Sequence, residues 1–314
     1  MNHKILRTRQ QGVALITALL IMALLASLSL RLSWDNAMDV RRTMTMLYYD
    51  EGSQAALGAE SWVMSLLRDD AEESETDHFG EIWAAEMPVL PIESDTIQGV
   101  LLGDLQDLQG RFNVNNLVRQ NGNIDQQSLE QFRRLLVVLN IDPRFADLSA
   151  DWIDADQDAE LAGAEDAIYL GMIPPYRSAN QHLTSVSELA ALEGMDKATF
   201  DILLPHIVAL PGRTEINVNT ATFAVLRSLS DEISNETAES LMSEREESGF
   251  ANIESSFAPY LGAEVARGLR ETSDYFQLKV VVQIDTVRIT YFSVLQRDPQ
   301  RGTVVPILRS FGTM

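Results

Sequence analysis

The chain contains no cysteine among its 314 residues. That absence removes a disulfide framework, a thiolate zinc site and a cysteine nucleophile, while leaving an oxidising compartment open. Positive charge is also scarce, with 24 Lys and Arg against 46 Asp and Glu and a formal charge of −22. Extended contact with nucleic acid phosphate or anionic lipid is therefore repulsive and releases no counterions, which excludes nucleic acid as a partner. Histidine is sparse and scattered, at His3, His78, His182 and His206. No His-Glu-x-x-His, nucleophile elbow or Walker loop occurs, and no catalytic constellation is visible, so the chain reads as a non-enzyme.

What is present begins with eighteen consecutive uncharged residues, Val13 to Leu30. As a helix they rise about 27 Å, close to the thickness of bilayer hydrocarbon. Lys4, Arg7 and Arg9 precede the run with no acid among them, which predicts one pass with the N-terminus in the cytoplasm. A cleavable secretory signal is the competing reading, with Ser27-Leu28-Ser29 as an imitation of its cleavage site. Against it, helical spacing continues through Trp34, Met38, Leu47, Ala55, Ala59, Trp62 and Leu66, which predicts one helix from about Val13 to about Leu67.

A basic leader ending in glycine, followed by an apolar helix extending far beyond the membrane, resembles the type IV pilins and pseudopilins. The resemblance implies cleavage by a prepilin peptidase between Gly12 and Val13, and methylation of the new N-terminus. The fifth mature residue, usually glutamate in that family, is Thr17. A carboxylate at that depth is costly without a partner, and in the family the amine of a neighbouring subunit supplies one. A subunit without the acid can dispense with that neighbour, which suits a terminal position in a fibre. A plain membrane anchor with a chance Gly-Val junction is the alternative.

Beyond the helix, Asp69 to Glu81 reads as a solvated acidic loop. Gly99 to Asp107 and Arg111 to Leu117 look like a hairpin, and Tyr275 to Ile284, Thr286 to Gln296 and Thr303 to Ser310 read as three more strands, with turns at Asp285 and at Asp298-Pro299 to Gly302. Pro306 marks the last as an edge strand. The expected fold is α+β: a pilin-like long N-terminal helix packed on a five-stranded antiparallel sheet, with a large inserted all-α domain. The expected boundaries are a leader at 1–12, the membrane part of the helix at 13–30, the pseudopilin domain at 31–117 and 274–314, and the insertion at 118–273. Helical periodicity inside the insertion covers Ser128 to Leu139, Ser185 to Leu192, Lys197 to Leu204, Thr220 to Leu229 and Glu236 to Glu246.

Within the insertion, Asp151 to Asp166 holds seven carboxylates in sixteen residues. On the register of an EF-hand loop, Asp154, Asp156 and Asp158 fill positions one, three and five, Glu160 offers its carbonyl at seven, and Glu165 falls at twelve, with Asp166 beside it. Ala159 stands where that loop needs glycine, so the path must differ. The expectation is a calcium site; the alternative is a solvated acidic face. Glu215 to Phe250 resembles a helix-hairpin-helix module, but its hairpin reads Asp231-Glu232-Ile233, and Arg227 and Arg245 are its only basic residues. It reads as structural, and Leu183 to Leu210 looks like a second such unit.

Together the leader, Gly110 to Asn115, the Asp151 to Asp166 loop and Ile216 to Ala221 resemble the K-type minor pseudopilins of type II secretion, the general secretion pathway protein K family. That implies a calcium-binding helical domain inserted in a pseudopilin fold, anchored in the inner membrane with its globular part in the periplasm. It implies a place at the pseudopilus tip with the I-type and J-type minor pseudopilins, above the major pseudopilin, priming or capping the fibre that exports folded proteins. A membrane-anchored helix-hairpin-helix DNA receptor and a tethered calcium-dependent enzyme are the competing functions. The first lacks a basic patch and the second a catalytic constellation.

Overall fold

A computed structural model of the chain describes residues 11–93 and 98–313. Most of the expected leader, residues 1–10, lies outside the described residues. Helix α1, Gln11–Glu73, is 63 residues long, about 95 Å at the α-helical rise. It is long and apolar enough to cross a membrane, and Val13 to Leu30 present their large side chains outward. Thr17 bonds within the helix, its Oγ1 donating to the carbonyl of Ala14 at 3.0 Å.

The far half of α1 carries a buried stripe at helical spacing, Ala56, Glu60, Val63 and Leu67. It lies on a sheet of five antiparallel strands. These are β1 (Leu90–Glu93), β2 (Gln98–Asp107) and, after the helical region and four two-residue strands within it (β3–β6), β7 (Tyr275–Ile284), β8 (Val287–Asp298) and β9 (Thr303–Phe311), in spatial order β1-β2-β7-β8-β9. Alternate residues of β7, from Phe276 through Leu278, Val280 and Val282 to Ile284, point into this core. Gly52 permits the close approach, since an added Cβ would lie 2.5 Å from Ile289 Cδ1. Glu60, inside the stripe, accepts hydrogen bonds from Tyr291 Oη and Ser293 Oγ and pairs with Arg309.

The strand containing Pro306 is indeed at an edge, with a bulge opposite Val294 and Leu295, and the β7–β8 turn has Asp285 at φ +50°. The expected hairpin does not form. Strand β2 pairs with β1 and β7 instead. Arg111 to Leu117 contributes only the two-residue strand Phe112–Asn113, followed by a 3₁₀ turn over Val114–Leu117. Asn113 caps that turn by accepting from Asn115 N–H, an alternative to ladder pairing that local asparagines favour.

The acidic stretch from Asp69 is not a solvated loop. Its first residues extend α1 to Glu73, and Asp77 is buried. Arg297 of β8, also buried, pairs with Asp77 and with Asp70, the latter at 2.9 Å, and donates to the carbonyl of Ser273. A buried arginine needs such acceptors, and sequence neighbours could not have revealed them.

A second core gathers Phe112 through Leu269. Helix α2 (Gln126–Val138) is capped by Asp125, and α3 (Arg144–Ile153) was absent from the expected helices because its apolar face is interrupted by Asp147, Ser149 and Asp151. Further helices occupy Lys197–Leu203, Phe223–Ser228 and Asn235–Ser248, with a 3₁₀ segment at Val186–Ala191. This region is not purely helical. Strand β3 (Phe112–Asn113) pairs in parallel with β4 (Ile207–Val208), and β5 (Ile216–Asn217) with β6 (Leu269–Arg270). Between the helices at 223–228 and 235–248, Asp231 and Glu232 are exposed while Ile233 is fully buried.

Candidate metal centre

The last turn of α3 brings Asp151 and Asp154 onto one face, three residues apart. A helix C-terminus already carries partial negative charge, so two carboxylates there are disfavoured without a counter-charge. The chain then loops outward and returns at Glu165, whose carbonyl starts a short helix, Asp166–Tyr169. Trp152 and Tyr169 meet edge to face at 5.0 Å behind the loop and fix the two helices against each other. The outcome is a buried group of Asp151, Asp154 and Glu165 whose ligand oxygens all lie within 4.8 Å of one another.

Burial, then the charges of Asp156, Glu165 and Asp151, pushes Asp154 up to about 7. Burial likewise pushes Asp151 up to about 7, and raises Glu165. Two oxygens of this group, Asp154 Oδ1 and Glu165 Oε1, are buried without a hydrogen-bond partner. Gly163 leaves the room that Asp151 uses, since an added Cβ there would lie 1.8 Å from Asp151 Oδ2.

The chain holds a second acidic group for comparison, Asp70, Asp77 and Glu81. There Arg297 supplies the positive charge from inside the fold. At Asp151, Asp154 and Glu165 no lysine or arginine pairs with any of the three among the described residues. Three close carboxylates, orphaned oxygens and no internal cation form a donor set of the kind that suits a hard oxygen-seeking divalent ion.

The expected ligand residues separate into two sets. Asp154 and Glu165, the two ends of the EF-hand register, are brought together. Asp156, Asp158 and Glu160 lie on the outward part of the loop, the first two exposed. Asp156 Oδ1 accepts from Asp158 N–H at 2.9 Å, and Glu160 N–H donates to Asp151. Asp166 accepts from both the N–H and the hydroxyl of Ser178 and lies 3.7 Å from Arg177. Asp151 was not among the expected ligands; its place three residues before Asp154 on one helical face was the available signal. Of the expected processing pair, Val13 is exposed on α1, and the helix passes through Gly12 without a break.

Models described as type II secretion system (T2SS), protein K match residues 110–212 and 216–267. The chain is 35% identical to type II secretion system protein K of Pseudomonas aeruginosa, over 98% of this chain and 94% of that one. It is 36% identical to the Klebsiella pneumoniae protein of the same name, over 70% and 68%. Its fold is similar to a chain solved in a GspK-GspI-GspJ complex from enterotoxigenic Escherichia coli, with TM-score 0.76 at 23% identity, covering 87% of this chain and 100% of that one. Near full-length identity to named relatives, with the long apolar helix, the antiparallel sheet and the helical region between its strands, shows that the chain belongs to the type II secretion system protein K family of minor pseudopilins.

Proposed function

We propose that this minor pseudopilin is a non-enzymatic subunit that sits at the tip of the pseudopilus and primes or caps its assembly. The observation that carries the reading is the second core, Phe112 through Leu269, built between strands β2 and β7 of the pilin-like sheet. A mass of that size on the globular head obstructs a further subunit stacking above it. Thr17 supports the same reading, because its hydroxyl is satisfied by Ala14 of its own helix and needs no amine from a neighbour. The similar chain solved in a GspK-GspI-GspJ complex supports I-type and J-type minor pseudopilins as partners; in this reading the major pseudopilin lies below them.

In this reading prepilin peptidase cuts between Gly12 and Val13 and the new N-terminus is methylated. The leader stays cytoplasmic and the globular part is periplasmic. Calcium occupies Asp151, Asp154 and Glu165, with Asp156 beside them, and clamps the C-terminus of α3 to the start of the following helix. The experiment is cysteine cross-linking along α1 in assembled fibres, with the intact protein and with 118–273 deleted. One copy at a fibre end, and a deleted form that no longer terminates it, is the expected result. Uniform incorporation along the fibre defeats the tip reading.

A further inference from the structure

Although the chain has only 24 basic residues against 46 acidic ones, three arginines line one polar cleft of about 400 Å³ at the N-terminal end of α2. Asp125, the residue that caps this helix, sits at its centre with a side chain 3% exposed. Its Oδ1 accepts from Ser128 N–H at 2.9 Å. Its Oδ2 accepts from both Arg119 Nε at 2.8 Å and Arg213 Nη1 at 2.7 Å. Burial acts to raise this acid, but the Ser128 N–H and the two guanidiniums outweigh it and hold the carboxyl well below the usual range. One fixed negative charge thus answers two positive ones.

Among the described residues no other acid pairs with Arg119 or Arg213. Arg119 and Arg213 each commit one N–H of five to Asp125 and remain about half exposed. The guanidinium of Arg267, lining the same cleft, makes no hydrogen bond or ion pair among the described residues. Glu215 is also in the lining, but its carboxylate lies 3.6 Å from Arg270. Gln131 adds a donor: its Nε2 is buried in the lining without a partner. In so acidic a chain, unspent arginine donors and an orphaned amide converging on one cleft mark a place for an anion.

We propose that this cleft binds a carboxylate ligand, held by Arg119, Arg213 and Arg267, with Gln131 Nε2 as a further donor. Guanidinium forks match planar carboxylates, and Asp125 already shows two of these arginines doing so. A long polyanion is repelled by the rest of the surface, so the ligand is compact. The carboxylate comes either from a free dicarboxylate or from the acidic side chains of a protein segment.

The test is calorimetric titration of the full-length protein in detergent, with calcium in excess, using succinate, a tetraglutamate peptide and sulfate. Saturable binding of succinate or tetraglutamate is expected, and which one binds identifies the source. Arg267→Ala is expected to weaken binding about tenfold, the loss of one charge-assisted contact, and to leave the melting temperature of the unliganded protein unchanged. Arg213→Gln is expected to weaken it as well. Binding of neither carboxylate at millimolar concentration overturns the proposal. So does affinity unchanged in both variants, or sulfate binding as tightly as the carboxylates.

Discussion

Gly163 and Asp151 approach so closely that a Cβ on the glycine would lie 1.8 Å from Asp151 Oδ2. The carboxylate therefore occupies the space a side chain at 163 would take, and the proposed cation site depends on a residue with no side chain. Gly163→Ala should push Asp151 out of the group and weaken calcium binding at least about tenfold, as loss of a charged ligand would. Calcium titration of the two proteins by calorimetry checks this. Equal affinity would remove Asp151 from the ligand set.

Calcium removal should destabilise the protein by mass action, by about 2.7 kcal/mol relative to a calcium level one hundred times the dissociation constant. The chelated protein should also show a particular pH response. Asp151 and Asp154 titrate near 7 when folded, well above an unfolded aspartate. Their protonated forms are favoured by the fold, so this stability is complete below about pH 4 and lost as pH rises through about 7. Asp70 and Asp107, also pushed up by burial to about 7 and about 6, add a background of the same sign. Melting temperatures with chelator should therefore fall from pH 5 to pH 8, and the gain from added calcium should grow over the same range. Asp154→Asn should reduce that growth. A calcium effect independent of pH would contradict the shared carboxylate site.

Arg297→Met should cost about 3–5 kcal/mol in urea denaturation of the full-length protein, because it leaves Asp77 and Asp70 without their buried counter-charge. The pair Arg297→Met with Asp77→Asn should recover part of the loss, since the second change removes one of the stranded charges. Identical stability of the single and double variants would mean that packing of Arg297 over Phe276, and not charge, was what mattered.

The mature protein should begin at Val13. N-terminal sequencing of the membrane-extracted protein reads this directly, and a first residue near Leu30 would mean an ordinary secretory signal and refute processing at Gly12.

Much of the architecture is legible locally. Eighteen uncharged residues from Val13 and the continued spacing to Leu66 specify one long helix, because helical periodicity is written in neighbours three and four apart. The strands β7 and β8 are legible for the same reason at period two, and Pro306 betrays an edge because it has no N–H to donate. The carboxylate density between Asp151 and Asp166 marks the candidate centre without placing it.

Tertiary structure decided which of those acids meet. Only the end of α3, packed through Trp152 on Tyr169, turns Asp151 and Asp154 toward Glu165 and leaves Asp156 and Asp158 outside. It likewise decided that the acids after Asp69 serve a buried arginine, which β8 carries more than two hundred residues later. Arg111 to Leu117 has strand-like composition, yet its asparagines bond to loops near Leu183, Leu210 and Thr214, and the segment turns instead of pairing. A sequence records periodicity and charge density along the chain. Which charges neutralise one another depends on contacts across it, because electrostatic and hydrogen-bond partners are chosen by distance in space.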